Sequence, residues 1–285
     1  MKKLFMGVTV GVAVLSLAAC GSSADLTTGT TEKSDLTLEQ VYDKAIERQE
    51  SMQSAKANIV MDQVTAMTLE GEEMNMTSST NMDMEMTVKP VAFFVDGTVT
   101  MEMAGESEAM DMPLQMYMTE ADGFYMNDFM TGGWSKLPEN LTEDMLAQMG
   151  AQADASEQLK QLKGFINDFT FEQTDDAYIL TLVADGEKFN EVMLGQVMGS
   201  LNQLGEDEQS LLEGITFEDA KYVITIDKKT FDTVKMDMDF IMNMDVMGQQ
   251  SKVDTKSTVT YSEFDNVDTI TIPQEVLDTA TETAF

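Results

Sequence analysis

The sequence predicts an α+β fold: a single strongly curved antiparallel sheet, a half-barrel, with its concave face covered by helices. Three observations carry this. Apolar and polar residues alternate over runs far longer than an ordinary strand, which is β periodicity. Turn residues punctuate those runs at short intervals, so consecutive strands pair antiparallel. The middle of the chain changes to 3–4 spacing, with one apolar face per helix. A long strand with one apolar face must curl or pack against something, and the helices are its natural cover.

Residues 1–19 have the layout of a lipoprotein signal peptide. Lys2 and Lys3 give a positive start, Leu4 to Leu17 is almost wholly apolar, and Leu17-Ala18-Ala19 leads into Cys20, the sole cysteine. The apolar run is about 16 residues, roughly 24 Å as a helix, which is short for a stable membrane span. The small-small-Cys ending resembles a bacterial lipobox. That resemblance implies an acylated Cys20, an anchor in the lipid bilayer and a place on the extracytoplasmic face of the cell membrane; the alternative is an ordinary signal with a chance cysteine. Residues 20–34 are polar and Thr-rich without an apolar period, and read as a flexible tether of roughly 20 Å. The half-barrel domain is expected over 35–285.

Leu36 to Met52 reads as a helix. Thr37 with Gln40 forms a capping box, and Leu38, Val41, Tyr42, Ala45 and Ile46 share one face. From Lys56 the period becomes two. Ile59, Met61 and Met67 share parity, interrupted by Gln63 and Thr65. After Gly71, Met74, Met76, Met82, Met84, Met86 and Val88 do the same. Lys89-Pro90 breaks the run before Val91, Phe93, Val95, Val99, Met101 and Met103. Gly105 turns the chain into Met110, Met112, Leu114, Met116 and Met118. Asp122-Gly123 is a hairpin signal before Phe124 to Met126, and Thr131-Gly132-Gly133 turns into Trp134 to Leu137. Helices are expected from Asn140 to Met149, from Asp154 to Ile166 and from Asp185 to Leu204, with a hairpin between the last two around Thr174-Asp175-Asp176.

Sheet returns with Tyr222, Ile224 and Ile226, and a turn at Lys228-Lys229-Thr230. From Thr233 to Val246 all seven even positions are apolar, and of the seven odd positions only Ile241 is. Those fourteen residues span roughly 46 Å at about 3.3 Å each. Lys252 to Phe264 alternates more weakly, and Ile270 to Pro273 closes the fold before a short helical end.

Composition excludes several functions. A net charge of −34 repels nucleic acid and anionic headgroups. With no histidine, His-based triads, general bases and metal sites are absent. The lone cysteine is spoken for by acylation. Fifty-one acidic residues make any carboxylate pair uninformative. No loop matches a calcium-binding pattern, and Asp175-Asp176 and Glu206-Asp207-Glu208 read as solvated turns. The reading is of a non-enzyme without cofactor or metal.

The layout is similar to the lipoprotein-localisation-factor superfamily (LolA, LolB and LppX types), a half-barrel closed by helices. More closely, the chain resembles a domain of unassigned function in lipoproteins of Gram-positive bacteria. The matching features are Val41 to Ala45 running into Ser51 to Lys56, Met116-Tyr117-Met118 with Asp122 to Met126, Trp134 to Pro138, and Ile270 to Glu275. In the superfamily the space between sheet and helices holds acyl chains, so the resemblance implies a lipid or another hydrophobic small molecule as partner.

Methionine occurs 27 times, far above ordinary usage, and follows strand parity. One reading is plain core. The other is a deformable cavity, because unbranched, polarisable Met accepts varied apolar shapes. Candidate cavity residues are Met82, Met84 and Met86; Phe93, Val95, Met101 and Met103; Met112, Leu114, Met116 and Met118; and Met236, Met238, Phe240, Met242 and Met244. The leading expectation is a membrane-anchored lipoprotein that binds a hydrophobic ligand. A cavity-free envelope scaffold or protein-binding module is the alternative, with an unknown protein partner. Thioether Cu(I) binding and consumption of oxidants are lesser readings, since Met84-Glu85-Met86 and Met101-Glu102-Met103 spacing follows from strand alternation alone.

Overall fold

Thr37 adopts extended backbone and caps helix α1 (Leu38–Ser51). Its Oγ1 accepts from the Gln40 N–H at 3.3 Å while Gln40 Oε1 accepts from the Thr37 N–H at 2.9 Å. Two orphan donors of the first turn are thereby satisfied reciprocally. The structure, a computed structural model, describes residues 23–69, 72–105, 108–129, 132–139, 141–142, 159–160, 162–184, 190, 214–246 and 249–282, without the side chains of 69, 72, 73, 246 and 249. The signal segment, Cys20 and most of the helices expected over 140–204 lie outside these residues.

The alternating runs become strands β1 (Asp25–Leu26), β2 (Ser54–Leu69), β3 (Glu72–Val88), β4 (Val91–Met103), β5 (Met110–Thr119), β6 (Gly123–Asp128) and β7 (Gly133–Lys136). They continue with β8 (Phe169–Gln173), β9 (Ala177–Ala184), β10 (Ile215–Asp227), β11 (Thr233–Val246), β12 (Gln249–Ser262) and β13 (Thr281–Glu282). A 3-10 helix covers Lys163–Asp168 and α2 covers Gln274–Thr279. All strands join one 13-stranded sheet, ordered β1-β8-β9-β10-β11-β12-β2-β3-β4-β5-β6-β7-β13. It is open, curved and antiparallel except at its two ends, where β1 runs parallel to β8 and β13 parallel to β7. The β12–β2 pairing fuses the two hairpin series into one sheet.

Local chemistry explains the irregular points. Gly123 turns β5 into β6 at φ +98°, in the region where a glycine carries no steric cost. Pro113 stands inside β5, but only Met116–Thr119 of that strand pair with β6, so the proline occupies an edge-like stretch. In β10 the register slips between Glu218 and Lys221, with Asp219 at φ +53°. Just before this bulge the Asn190 amide stands in for a strand, accepting from the Phe217 N–H at 2.5 Å and donating to its carbonyl at 3.2 Å.

The face that α1 packs on is the inner face. There Val41, Tyr42, Ala45 and Ile46 join Leu159, Leu162 and Phe165 against Leu180, Leu182, Ile224, Ile226 and Met236. Tyr42 is fully buried, and its hydroxyl donates to the Leu159 carbonyl at 2.7 Å, so its polar end is satisfied. Further along the same face Met52, Ala55, Met86, Phe93, Val95, Met118 and Phe124 form a second cluster. On the outer face Phe94 and Tyr117 stack at 4.5 Å, with Tyr117 and Trp134 at 5.7 Å. The C-terminal segment lays Ile272, Val276 and Leu277 over these rings and over Tyr125, hiding an aromatic patch that would otherwise face solvent. Within the described residues α1 and 159–168 pack on one part of the inner face; most of the expected middle helices, and any cover they give, fall outside the described residues.

One expectation is corrected. Residues 23–34 of the expected tether are bound to the sheet. β1 pairs with β8, and Gln173, fully buried, fastens the rest. Its Nε2 donates to the Ala24 carbonyl at 2.9 Å, its Oε1 accepts from the Ser34 N–H at 2.9 Å, and its carbonyl accepts from the Thr27 N–H at 3.0 Å. Asp175 accepts from the N–H groups of Thr31 and Glu32. A polar segment has no apolar period to betray docking, because backbone and amide bonds hold it. Gln173→Leu keeps the backbone bond to Thr27 but leaves the Ala24 carbonyl and the Ser34 N–H unpaired, at about 1–3 kcal/mol. Hydrogen exchange of residues 23–34 is expected to rise at least tenfold in this variant, with β10–β12 unchanged.

Three carboxylates tie loops together. Backbone N–H groups of Glu32 and Thr31 hold Asp175 below the usual carboxylate range. Partial burial opposes the shift at Asp227 and Asp265. It is outweighed by the Thr230 and Lys229 N–H groups at Asp227, and by the Gln53 N–H and the Arg48 guanidinium at Asp265. Folded values below the unfolded ones mean stability that is present at neutral pH and lost as pH falls below about 4. The urea midpoint is expected to be flat above about pH 5 and to drop below pH 4, and Asp227→Asn with Asp265→Asn should shallow that drop.

Candidate functional site

Register carries every candidate residue onto the inner face. Cross-strand partners in a ladder point the same way, so the rows can be read from the pairings. Met86, Phe93 and Met118 form one row with Ala55, and Met84, Val95 and Met116 the next with Ala57. The third runs Met236, Val259, Ile59, Met82, Gly97, Leu114. Met238 and Met112 lie in the fourth row, Phe240 and Met101 belong to the fifth, and Met242 with Met103 lie in the sixth. Met244 shares the seventh with Ser251, Met67 and Met74.

These rows differ in what covers them. Met86, Phe93, Val95 and Met118 are buried in the second cluster, and Met236 lies in the first, so protein already fills the space above them. Met82, Met84, Met112, Leu114, Met116, Met238, Phe240, Met242 and Met244 are half-buried. Toward the β2–β3 and β4–β5 hairpins the face opens: Met74 is 44% exposed, Met103 46% and Met110 57%. The result is an apolar gutter, filled at one end and open at the other.

Its electrostatics are uniform. The inner-facing positions of β2, β4, β5, β11 and β12, and the described ones of β3, carry no charged residue. Charge sits on the outer face, for example in the Lys56–Glu85 pair at 2.6 Å and the Lys235–Asp237 pair at 2.8 Å. Burial pushes the Tyr222 phenol up to about 12 and raises that of Tyr261, so both inner-face tyrosines stay neutral. Among the described residues no cluster of His, Cys, Asp or Glu could hold a metal ion. Asp175 is engaged with backbone donors, and Glu206 to Glu208 lie outside the described residues.

Two open grooves lie outside the gutter. One of about 510 Å³ is on the outer face at the hairpin end, lined mostly by outward-pointing residues, among them Ala66, Asn75, Thr216, Asn243 and Lys252. The other, about 310 Å³, is polar and lies on the outer face between Asp62, Lys221, Asp237 and Lys256. Sequence reasoning passed over a set of uncharged polar residues on the inner face: Gln63, Ser78, Thr80, Thr255 and Ser257. The interruption of parity at Gln63 and the weaker alternation from Lys252 to Phe264 are their visible signals.

Comparison with solved structures returns remote likenesses. One is to a chain titled for lipid–protein interactions in lipovitellin, at TM-score 0.29 and 8% identity, covering 78% of this chain and 27% of that one. The chain therefore spans about a quarter of that protein's length. Another is to a β-barrel-like protein of a domain of unknown function (DUF1849) from Brucella abortus, at TM-score 0.25 and 8% identity, covering 74% and 99%. A third is to a LolA superfamily protein from Nitrosomonas europaea, at TM-score 0.18 and 12% identity, covering 85% and 97%. No curated protein matches the chain. A family described as a family of unknown function (DUF6612) matches residues 37–281, from the N-cap of α1 to the start of β13. That span takes in the whole gutter and both clusters beneath it, and the chain belongs to this family.

Proposed function

We propose that this protein is a membrane-anchored lipoprotein of the cell envelope, held by an acylated Cys20, that binds a lipid or other hydrophobic ligand along the inner face without catalysing a reaction. The observation that carries the reading is the one-sided register of the methionine rows. They are packed by protein near α1 and bare toward the hairpins. A core explains buried methionines, but it does not explain Met74, Met103 and Met110, each about half exposed, which forgo part of the roughly 1.5–3 kcal/mol that full burial gives. A guest would recover it. Soft, unbranched side chains adapt to the guest's shape.

A cavity-free scaffold is the second reading. It is favoured by the tight packing of α1 over β8–β11. Native mass spectrometry separates the two. The full chain carrying Cys20→Ser cannot be acylated and can be purified without detergent. A bound mass that organic extraction removes is the expected result. Bare protein that also ignores a fluorescent acyl probe would leave the scaffold.

A further inference from the structure

Across the middle of the gutter runs a band of uncharged polar side chains. Strands β12, β2 and β3 build it. Thr255 stands opposite Gln63, which stands opposite Ser78; one row away, Ser257 and Thr80 flank Met61. Thr80, Thr255 and Ser257 are buried, and Gln63 and Ser78 half-buried. Gln63 Nε2 donates to Thr255 Oγ1 at 3.2 Å. The hydroxyls of Ser78, Thr80 and Ser257 have no hydrogen-bond partner among the described residues. The one side-chain polar atom that is both sealed off and unpartnered among the described residues is Thr233 Oγ1; within the band, Gln63 and Ser78 keep part of their surface exposed.

Packing gives no reason for this band. Val and Ile fit a pleated surface better, and a hydroxyl taken from water needs a partner. Ligand sites, by contrast, are mostly apolar with a few convergent polar groups that fix orientation. Here those groups include hydroxyls and an amide, able both to donate and to accept, and among the described residues of these strands' inner face no cation accompanies them. A carboxylate or phosphate lodged here would be stripped of water with nothing to neutralise it.

We infer that the band reads an uncharged polar group, a hydroxyl or ester, set between apolar stretches of the ligand, and that the ligand class is a neutral lipid of the acylglycerol kind. This rests on the hydrophobic-ligand reading above and narrows it. The test titrates the full Cys20→Ser chain with fluorescent probes of matched chain length: a monoacylglycerol, the corresponding fatty acid, a lysophosphatidylglycerol and a headless hydrocarbon. At pH 7.5 the monoacylglycerol is expected to bind at least about tenfold tighter than either anion. Gln63→Leu with Thr255→Val, both of which a β face accepts, should bring it down to the level of the hydrocarbon. Equal or tighter binding of the fatty acid, or an undiminished preference in the double variant, would overturn the inference alone. Failure of every probe, the hydrocarbon included, would overturn the ligand reading with it.

Discussion

Gly97→Val is expected to lower the stability of the whole sheet by on the order of 3 kcal/mol. Gly97 lies in the middle of β4, between Met82 of β3 and Leu114 of β5. A Cβ added there would overlap the Asn81 carbonyl oxygen and stand 2.7 Å from both Cα and Cγ of Met82. The Met82 side chain could swing away, but the Asn81 carbonyl and the Met82 Cα are backbone and move only if β3 and β4 separate. A glycine inside a strand marks such a close approach. For a domain of this size the loss corresponds to a melting point lower by about 6–12 °C. Thr98→Val, one residue along and facing out, should change stability by no more than about 0.5 kcal/mol. Thermal melts of the two variants check this, and coincident melting of Gly97→Val with the parent protein would mean the two strands have slack.

Met238→Asp with Met242→Asp should abolish acyl-probe uptake. Both residues are half-buried on the inner side of β11, on either side of Phe240, and among the described residues no cation projects from the inner side of β11 or β12. A ligand seated there would have to desolvate two unpaired carboxylates, which costs several kcal/mol and weakens binding by more than about a hundredfold. The strand itself already carries Asp237, Asp239 and Asp245 on its other side, so carboxylates as such do not prevent it from forming. Asn243→Asp, outward-facing on the same strand, is the control and should bind normally. Because an apolar setting raises a carboxyl's pKa, lowering the pH toward 5 should restore part of the uptake. Circular dichroism establishes that the double variant is folded; a folded double variant with full uptake would move the ligand elsewhere.

The elements that could be read directly from the residues are those whose signal is local. The Thr37–Gln40 box starts α1 where expected, the strict parity of Thr233 to Val246 yields β11 over the same residues, and the turns at Gly105, Gly123 and Gly132 separate the strands on either side. What escaped is what depends on distant partners. Parity told which residues share a face but not their register, so it could not separate Met86 and Met236, covered by protein, from Met103, left open. The docking of residues 23–34 hangs on one buried amide about 140 positions away. Ile272 and α2 cover outer-face aromatics that no periodicity links to them. In the polar band Gln63 stood out as an interruption, yet Thr255, its hydrogen-bond partner, is 192 positions along the chain.

Docking of the N-terminal segment also sets a geometry with respect to the cell surface. Ser23 is already bridged to Thr37, which leaves three peptide units between it and Cys20. Fully extended they reach no more than about 11 Å. Under the acylation proposed above, the protein cannot roam on a long leash. It stands on its β1–β8 margin, with that margin almost at the headgroups and its orientation limited by a very short stem. A cargo taken from the same bilayer would have little distance to travel, whereas a receptor reaching the far margin at β7 and β13 would meet it across the full width of the sheet.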